Sequence, residues 1–207
     1  MSLFIPTYFS PISQYGVMVQ AEKIEFEVVD NFQKQTYRNR CYIYGANGKQ
    51  LLTVPIRHSN CKIKQKTKDI KIETGDHWQK QHFKSLKTAY NCSPFFEFYE
   101  DDLIPIFEKK YQYLHDLNFD TFEFVNQALE LGLNYETTKT YEFDQRNDYR
   151  VLSAVKHHPD DAQVDYHQLF ESKHGFIKNL SILDLIFMEG PNSISFLEKV
   201  ICHKFSE

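Results

Sequence analysis

The hydrophobic residues of this chain recur with two different periods, which divides it into a strand-rich first part and a helical middle. Residues 23–29 alternate at a period of two, with apolar residues on one face and Glu25 and Glu27 on the other. This alternation predicts a half-exposed β-strand. Residues 2–5 predict a short buried strand, and residues 12–21 predict a short helix.

A β-hairpin is the clearest local prediction in the chain. Two segments with strand composition, residues 36–44 and 50–57, flank the sequence Gly-Ala-Asn-Gly at positions 45–48. An Asn-Gly pair between two such segments favours the tight turns that connect antiparallel strands.

The middle of the chain has the spacing of amphipathic helices. Trp78 and His82 fall on the apolar face of the first helix, so we expect His82 to point toward the interior. Pro105 predicts a helix boundary, and an Asp-x-x-Glu pattern at Asp120 predicts the cap of the next helix. Residues 193–202 predict the last helix.

Together these elements predict an α/β fold. We expect a single domain over residues 1–207, with an N-terminal mixed β-sheet, helices packed on it and a helical C-terminal segment. The 18 Phe and 13 Tyr residues provide enough aromatic surface for a large core.

The composition also limits the classes of partner. The net charge of −4 argues against non-specific binding of nucleic acid, which requires a basic surface. No segment approaches the roughly 18 apolar residues that span a bilayer, and no secretory signal precedes the first strand. These features predict a cytoplasmic protein without a membrane span.

The cysteine spacing predicts neither a metal site nor disulfides. The four cysteines are far apart in the sequence, and no two form a Cys-x-x-Cys pair. Since cytoplasmic thiols stay reduced, we expect four free thiols at Cys41, Cys61, Cys92 and Cys202. No cofactor motif such as G-x-G-x-x-G or a Walker loop is present, so the sequence predicts no cofactor.

Residues 33–40, QKQTYRNR, have the highest density of hydrogen-bond donors in the chain and contain no Gly, Pro or Ser. They predict an extended segment that binds a planar anion such as phosphate or carboxylate. The alternative is a solvated edge strand whose cations prevent aggregation. The residues predicted to bind substrate in this segment are Lys34, Gln35, Tyr37, Arg38, Asn39 and Arg40.

Individual residues carry the chemical hypotheses, each beside a structural alternative. On a strand, Arg38 and Arg40 share one face and can hold a phosphate; alternatively, they are solvated and pair with nearby acids. His82 is a candidate general base, or a core histidine bonded to a backbone carbonyl. Asp30 is a second candidate base, or the cap of a turn.

Several motifs resemble the WbqC-like protein family in their order and spacing. Residues 6–15, PTYFSPISQY, resemble the start of that family, although Ile5 occupies the position where the family usually has Gln. The later motifs are the segment 30–40, LTVP at 52–55, the Trp78/His82 pair, and NLSILDL with EGP near the end of the chain.

The resemblance implies a role in bacterial O-antigen or surface-polysaccharide biosynthesis. Some members have been suggested to transfer glycine or another amino acid to amino sugars. The chain would then be an acyl- or aminoacyl-transferase acting on a nucleotide-linked amino sugar or another anionic small molecule. The pattern predicts a cleft between the 6–14 loop, residues 34–40 and the start of the Trp78 helix, with Tyr8, Gln14 and Trp78 among the substrate-binding residues.

Two other functions remain open at the level of sequence. The order of strand, aromatic loop, helix and Arg-rich segment is loosely parallel to that of nucleotide-binding or nucleotidyl-transfer enzymes, but the expected HxGH motif is missing. A non-catalytic partner protein in polysaccharide assembly would use exposed aromatic residues such as Phe95, Phe96 and Phe98. The sequence does not specify the oligomeric state.

Overall fold

A parallel sheet and a separate antiparallel hairpin contain the β-strands. The computed structural model describes residues 1–57, 64–73, 77–141, 147–156 and 165–200. The parallel sheet has the order β1-β2-β5, and the hairpin consists of β3 and β4. The strands are β1 (Ser2–Phe4), β2 (Ile24–Phe26), β3 (Arg40–Gly45), β4 (Gly48–Thr53) and β5 (Tyr135–Thr137).

Helices surround these sheets, and none of them among the described residues combines the length and apolar character that a membrane span needs. The α-helices are α1 (Ile12–Met18), α2 (Trp78–Tyr90), α3 (Phe96–Glu108), α4 (Leu114–Ala128), α5 (Glu171–His174), α6 (Ile182–Glu189) and α7 (Ser193–Leu197). Short 3₁₀ turns cover Thr67–Asp69, Arg150–Ser153 and Gly190–Asn192.

The predicted α/β class and the hairpin are confirmed. The hairpin pairs Gly45 with Gly48 around a two-residue loop, and Gly48 has a φ of +96°, which glycine adopts without strain. The parallel and antiparallel pairings lie in different sheets, and the third parallel strand, β5, comes from far along the chain.

Some local predictions were wrong at element boundaries. Strand β3 begins at Arg40, so the four residues before it are loop and turn. Pro105 lies inside α3, three residues before that helix ends at Glu108. Asp120 lies inside α4, because that helix begins at Leu114. Tertiary packing extends both helices past positions where the local sequence favours an end.

Glu27 was predicted to face solvent, and this prediction was wrong. Its side chain is fully buried, because β2 is the middle strand of the parallel sheet and is paired on both sides. Strands of parallel sheets are covered on both faces. The alternation of apolar and acidic residues over positions 23–29 therefore does not correspond to a buried and an exposed face at Glu27.

One continuous hydrophobic cluster includes residues from every part of the fold. In this cluster, Phe26 of β2 packs against the sheet and α4 together: the ring centroids of Phe122 and Tyr135 both lie 5.3 Å from its own. Such edge-to-face pairs add to the free energy gained from burial. The sheet is thereby fixed against α4.

A buried carboxylate holds the later part of the chain on α2. Asp184 of α6 is fully buried and accepts hydrogen bonds from the hydroxyls of Tyr90 (2.6 Å) and Tyr166 and from the Gln168 amide (3.2 Å). Burial raises the pKa of Asp184 to about 6. Ser181 caps α6, since its Oγ accepts from the Leu183 amide.

Cys41 is a buried free thiol and Cys92 an exposed one. Burial raises the pKa of the Cys41 thiol, so this thiol stays protonated at neutral pH. Cys61 and Cys202 lie outside the described residues.

Gly16 of α1 allows the C-terminal segment to pack closely on that helix. A Cβ at this position would lie 2.4 Å from the Val200 Cβ. Glycine in a helix costs roughly 1 kcal/mol relative to alanine, so a Gly16→Ala substitution would stabilise a helix that had no such neighbour. Here we expect a net loss of about 1–3 kcal/mol in the free energy of unfolding, because the core is overpacked.

Urea unfolding of Gly16→Ala, Val200→Gly and the double variant tests this contact. The double variant should be more stable than the sum of the two single changes predicts, because glycine at position 200 has no Cβ to meet the new Cβ at position 16. A Gly16→Ala protein that is more stable than the parent would show that Val200 does not lie against α1 in solution.

Candidate functional site

Four parallel chain segments end at the same edge of the sheet. Strands β1, β2 and β5 are parallel neighbours, and residues 147–149 run parallel to β1 on its other side. Hydrogen bonds from the Leu3 amide to Asn147 O (2.9 Å) and from the Tyr149 amide to Leu3 O (2.8 Å) hold this fourth segment. Ligand sites of open parallel sheets lie at the carboxyl ends of the strands, so the residues that follow each strand are candidates for a site.

Glu27 and Arg150 meet at this edge. One carboxylate oxygen of Glu27 accepts from the Thr138 hydroxyl (2.8 Å) and the Val29 amide (2.7 Å). The other oxygen lies 3.8 Å from Arg150 Nη1, and neither of these two buried atoms has a hydrogen-bond partner among the described residues. Buried polar atoms without partners are rare and costly. These two atoms can therefore still form hydrogen bonds at this edge of the sheet.

Arg150 is held in place from its other side. Its Nε and Nη2 donate to the Asp148 carboxylate at 2.9 and 2.5 Å, and its guanidinium carbon lies 4.9 Å from the centroid of the Tyr141 ring. The hydrogen bonds to Asp148 raise the pKa of Arg150. Arg150 is therefore a fixed cation between two carboxylates and an aromatic ring.

Asp30 and Arg38 form a second ion pair close to this edge. Arg38 Nη2 lies 2.6 Å from Asp30 Oδ2, and both side chains are buried. The Thr67 hydroxyl donates to the other Asp30 oxygen, and Arg38 Nη1 donates to the hydroxyls of Thr36 (3.3 Å) and Ser153 (3.2 Å). Burial lowers the pKa of Arg38, and the charge of Asp30 opposes that change.

A basic segment lies along the loop that follows β2. Residues 64–68 run antiparallel to residues 28–32, with hydrogen bonds from the Phe32 amide to Gln65 O (2.9 Å) and from the Lys68 amide to Val28 O (3.0 Å). In such a pairing, alternate residues share a side. The pairing therefore sets the positions of lysines 64 and 66 relative to Asp30.

Between these segments lies a cleft of about 430 Å³. This volume is in the range of small-molecule sites. The ring of Tyr141 is 41% exposed, and the Asp30 carboxylate at the wall is compensated by Arg38, so the two lysines leave a net positive charge. The cleft is lined by Asp30, Asn31, Phe32, Gln33, Lys64, Lys66 and Tyr141.

His82 lies in a packed aromatic cluster on the hairpin side of the fold. Its Nδ1 is 2.9 Å from the Tyr8 hydroxyl, its ring contacts Trp78 edge-on at 5.1 Å between centroids, and it is 6% exposed. Burial lowers its pKa to about 4, against a hydrogen bond to the Thr53 backbone. The ring is therefore neutral at neutral pH.

The two clusters are connected through residues 36–39. The Tyr8 amide donates to Tyr37 O (3.0 Å), and the Asn118 amide group donates to both Pro6 O (3.0 Å) and Arg38 O (2.9 Å). The 6–14 loop therefore contacts both the 34–40 segment and the start of α2. Tyr8, Gln14 and Trp78, which were predicted to bind substrate, are buried and do not line the 430 Å³ cleft.

The remaining predicted residues divide between interior and surface. Gln14 is buried and donates to Ile5 O (2.9 Å), and Asn39 is buried and donates to Val54 O (2.9 Å). Arg40 is half-buried at the start of β3, whereas Lys34 and Gln35 are exposed. Because residues 36–39 are not a strand, the expected shared strand face for the two arginines is absent.

Sequence reasoning missed Glu27, Lys64, Lys66, Tyr141 and Arg150 at this edge and its cleft. The one available signal was at Glu27, which lies in the segment 23–29 that was predicted to be a strand. In the structure, Glu27 follows the carboxyl end of β2 and Tyr141 comes after that of β5. The parallel order β1-β2-β5 brings those ends together, and no local pattern indicates that order.

The lowered pKa of His82 predicts a pH-dependent loss of stability. The folded pKa of about 4 lies below the ordinary value of 6.5. Stability from this group is fully present above pH 6.5 and decreases as pH falls toward 4, because the unfolded chain takes up a proton that the folded chain excludes. We expect a total loss of about 3 kcal/mol from this group across that window.

Urea unfolding at pH 7.5, 5.5 and 4.5 measures this loss. In His82→Gln the contribution is absent, so the difference in free energy of unfolding between parent and variant should change with pH. His77→Gln, at an exposed histidine just before α2, is the control and should follow the parent. A constant difference between parent and His82→Gln at all three pH values would contradict a buried neutral ring.

Comparisons with known proteins agree with the resemblance of the motifs. The chain is similar to the "Uncharacterized protein Rv1507c" of Mycobacterium tuberculosis, with 25% identity over 206 residues that cover 84% of this chain and 87% of that protein. No solved structure matches the chain significantly. The model of the WbqC-like protein family matches residues 4–164. The cleft, both buried ion pairs and the His82 cluster fall almost entirely within that range, and the chain belongs to the WbqC-like protein family.

Proposed function

We propose that this WbqC-like protein is an acyl- or aminoacyl-transferase that acts on a nucleotide-linked amino sugar in bacterial surface-polysaccharide biosynthesis. The observation that supports this proposal is the cleft at the carboxyl edge of the sheet. Two lysines and an exposed aromatic ring surround a carboxylate that is already held by an arginine.

The binding part of the proposal assigns the anion to the lysines. Lys64 and Lys66 act as mobile point charges toward the phosphates, and the Tyr141 ring offers a flat surface to the base or the sugar. The amides of Asn31 and Gln33 match the hydroxyl groups of a sugar. Exposed Lys34 and Gln35 extend this surface beside the cleft.

Arg38 takes a supporting role in this proposal instead of holding phosphate. Its guanidinium is committed to Asp30, Thr36 and Ser153. A buried arginine with these contacts fixes the Asp30 carboxylate at the wall of the cleft. The predicted phosphate contact therefore passes to the lysines, whose side chains are exposed.

The chemical part concerns the proton of the attacking amine. When the amine nitrogen bonds to the acyl carbon, the bond from that carbon to the leaving group of the donor breaks. The nitrogen then releases a proton that a base must accept. Asp30 lines the cleft, whereas His82 is enclosed by Tyr8 and Trp78 with its pKa lowered to about 4. We therefore assign Asp30 as the base that accepts the proton. His82 has a different role, which is to hold the Tyr8 side chain in position.

Substitution of the cleft lysines tests the binding part. Lys64→Gln/Lys66→Gln should weaken binding of UDP-linked amino sugars, measured by titration calorimetry, by roughly tenfold or more. Each charged hydrogen bond contributes about 1.5–3 kcal/mol. The loss should shrink as salt rises, because screening already reduces the advantage of the parent.

Lys68→Gln is the matched control, because Lys68 is exposed on the same segment but does not line the cleft. It should bind like the parent. Equal affinity in the parent, the control and the double variant would show that the phosphates do not bind at Lys64 and Lys66.

Asp30→Asn tests the chemical part. Asparagine keeps an oxygen that accepts from Arg38 but has no carboxylate to take the proton, so amide formation should slow by about 10²–10⁴-fold. The assay detects transfer from acyl-CoA or aminoacyl thioester donors to the amino sugar by mass spectrometry, at a temperature at which circular dichroism shows both proteins folded. His82→Gln is the comparison and should retain most of its turnover. If His82→Gln lost more turnover than Asp30→Asn, His82 and not Asp30 would be the base.

A further inference from the structure

A second concave site lies between α3 and α4 and shares no lining residue with the cleft at the carboxyl edge. The groove between the two helices encloses about 540 Å³. It is lined by Phe98, Tyr99, Asp102, Pro105, Ile106, Lys109, Tyr111, Asp120, Glu123, Phe124, Gln127, Ala128 and Glu130. This volume again matches a small-molecule site.

The charges of this groove are strongly negative. Four of its lining residues are carboxylates and one is a lysine. Lys109 is already paired with Asp120 at 2.5 Å, and Asp120 also accepts from the Tyr111 hydroxyl (2.7 Å). The other three carboxylates, Asp102, Glu123 and Glu130, have no ion pair among the described residues.

The floor and rim of the groove are apolar. Phe98 is 72% exposed beside it, and the side chains of Ile106 and Phe124 are buried below it. Of the three aromatic residues predicted at the surface, only Phe98 is exposed, whereas Phe95 is half-buried and Phe96 is buried. An apolar surface edged with carboxylates fits a ligand that has both a cation and an apolar body.

Tyr99 contributes a hydroxyl whose hydrogen-bonding capacity is unused. It is 2% exposed and lines the groove, yet its hydroxyl has no hydrogen-bond partner among the described residues. Burial and the nearby charge of Glu130 raise its pKa, so the hydroxyl keeps its proton and can donate it to an acceptor. A buried hydroxyl without a partner costs about 1–3 kcal/mol, which a ligand oxygen would recover.

A metal ion does not explain these carboxylates. Within the described residues, no three His, Cys, Asp or Glu side chains come close enough together to hold one. Carboxylates spread along two helices instead suit an extended organic cation, with the ammonium near the acids and the apolar part on the floor.

The geometry points to the α3–α4 groove as a binding site for an organic amine that has an apolar body and an oxygen acceptor. The ammonium pairs with one of the three carboxylates that have no ion pair among the described residues, Asp102, Glu123 or Glu130, and the oxygen accepts from the Tyr99 hydroxyl. This site is independent of the proposed transferase cleft, because the two have no residue in common.

Tyramine and N-acetyltyramine test this inference, because they share a ring and a phenolic oxygen but only tyramine carries an ammonium. Titration followed by NMR chemical-shift changes should show saturable binding of tyramine that weakens with salt. N-acetyltyramine should bind at least tenfold more weakly. Equal binding of the two, or no saturable binding of tyramine, would overturn the proposal.

The variants locate the site. Tyr99→Phe should lower the affinity for tyramine roughly fivefold while the melting temperature stays equal or rises, since the removed hydroxyl had no partner. Glu123→Gln/Glu130→Gln should lower the affinity at least fivefold at low salt. Glu108→Gln, exposed on α3 and outside the groove, should bind like the parent.

Three further outcomes would overturn this inference. Equal tyramine affinity in all three variants would place binding elsewhere and overturn the assignment. Binding of spermidine as tight as that of tyramine would reduce the site to charge alone and reject the apolar body. A basic amphipathic peptide that binds where tyramine does not would reject the small molecule in favour of a protein partner.

Discussion

The ion pair between Arg38 and Asp30 is the interaction on which the candidate site depends. Arg38 is the largest of the fully buried side chains in the described part of the chain. Its guanidinium contacts Asp30, Thr36 and Ser153, while its carbonyl accepts from Asn118 of α4. One residue thus connects the end of β2, the loop before β3, the 3₁₀ turn at Arg150–Ser153 and α4. Loss of one partner of such a pair leaves a buried charge and costs about 3–5 kcal/mol.

The parallel sheet explains why charged groups collect where they do. Strands that run in one direction deliver their carboxyl ends to one edge, so Glu27, Thr138 and Arg150 become neighbours although they are far apart in the chain. Charges buried at such a place are expensive unless they are paired. The Glu27–Arg150 contact is incomplete at 3.8 Å, and this unfilled capacity for hydrogen bonds lies next to Tyr141, which also lines the cleft.

The modest net charge conceals two regions of opposite sign. The cleft at the carboxyl edge is basic, whereas the α3–α4 groove is acidic. A protein with a net charge of −4 can therefore attract an anion at one place and a cation at another. Local potential, set by which side chains a fold brings together, decides what each site can bind.

Much of the architecture follows from local sequence. The Asn-Gly turn sets the hairpin, helical spacing turns His82 inward with Trp78, and Ser181 caps α6, because each depends on residues within a few positions of one another. The motifs predict a cleft between the 6–14 loop, residues 34–40 and the start of α2; in the structure the loop packs on both of the other segments.

Tertiary structure decided which of these residues face a ligand. Alternation along β2 indicated a solvated Glu27, but pairing on both sides of that strand buries it. The donor-rich segment indicated an anion site at Arg38, but Asp30 occupies that guanidinium. Strand order and ion-pair partners are set by contacts between distant segments, and the energy of those contacts outweighs local preference.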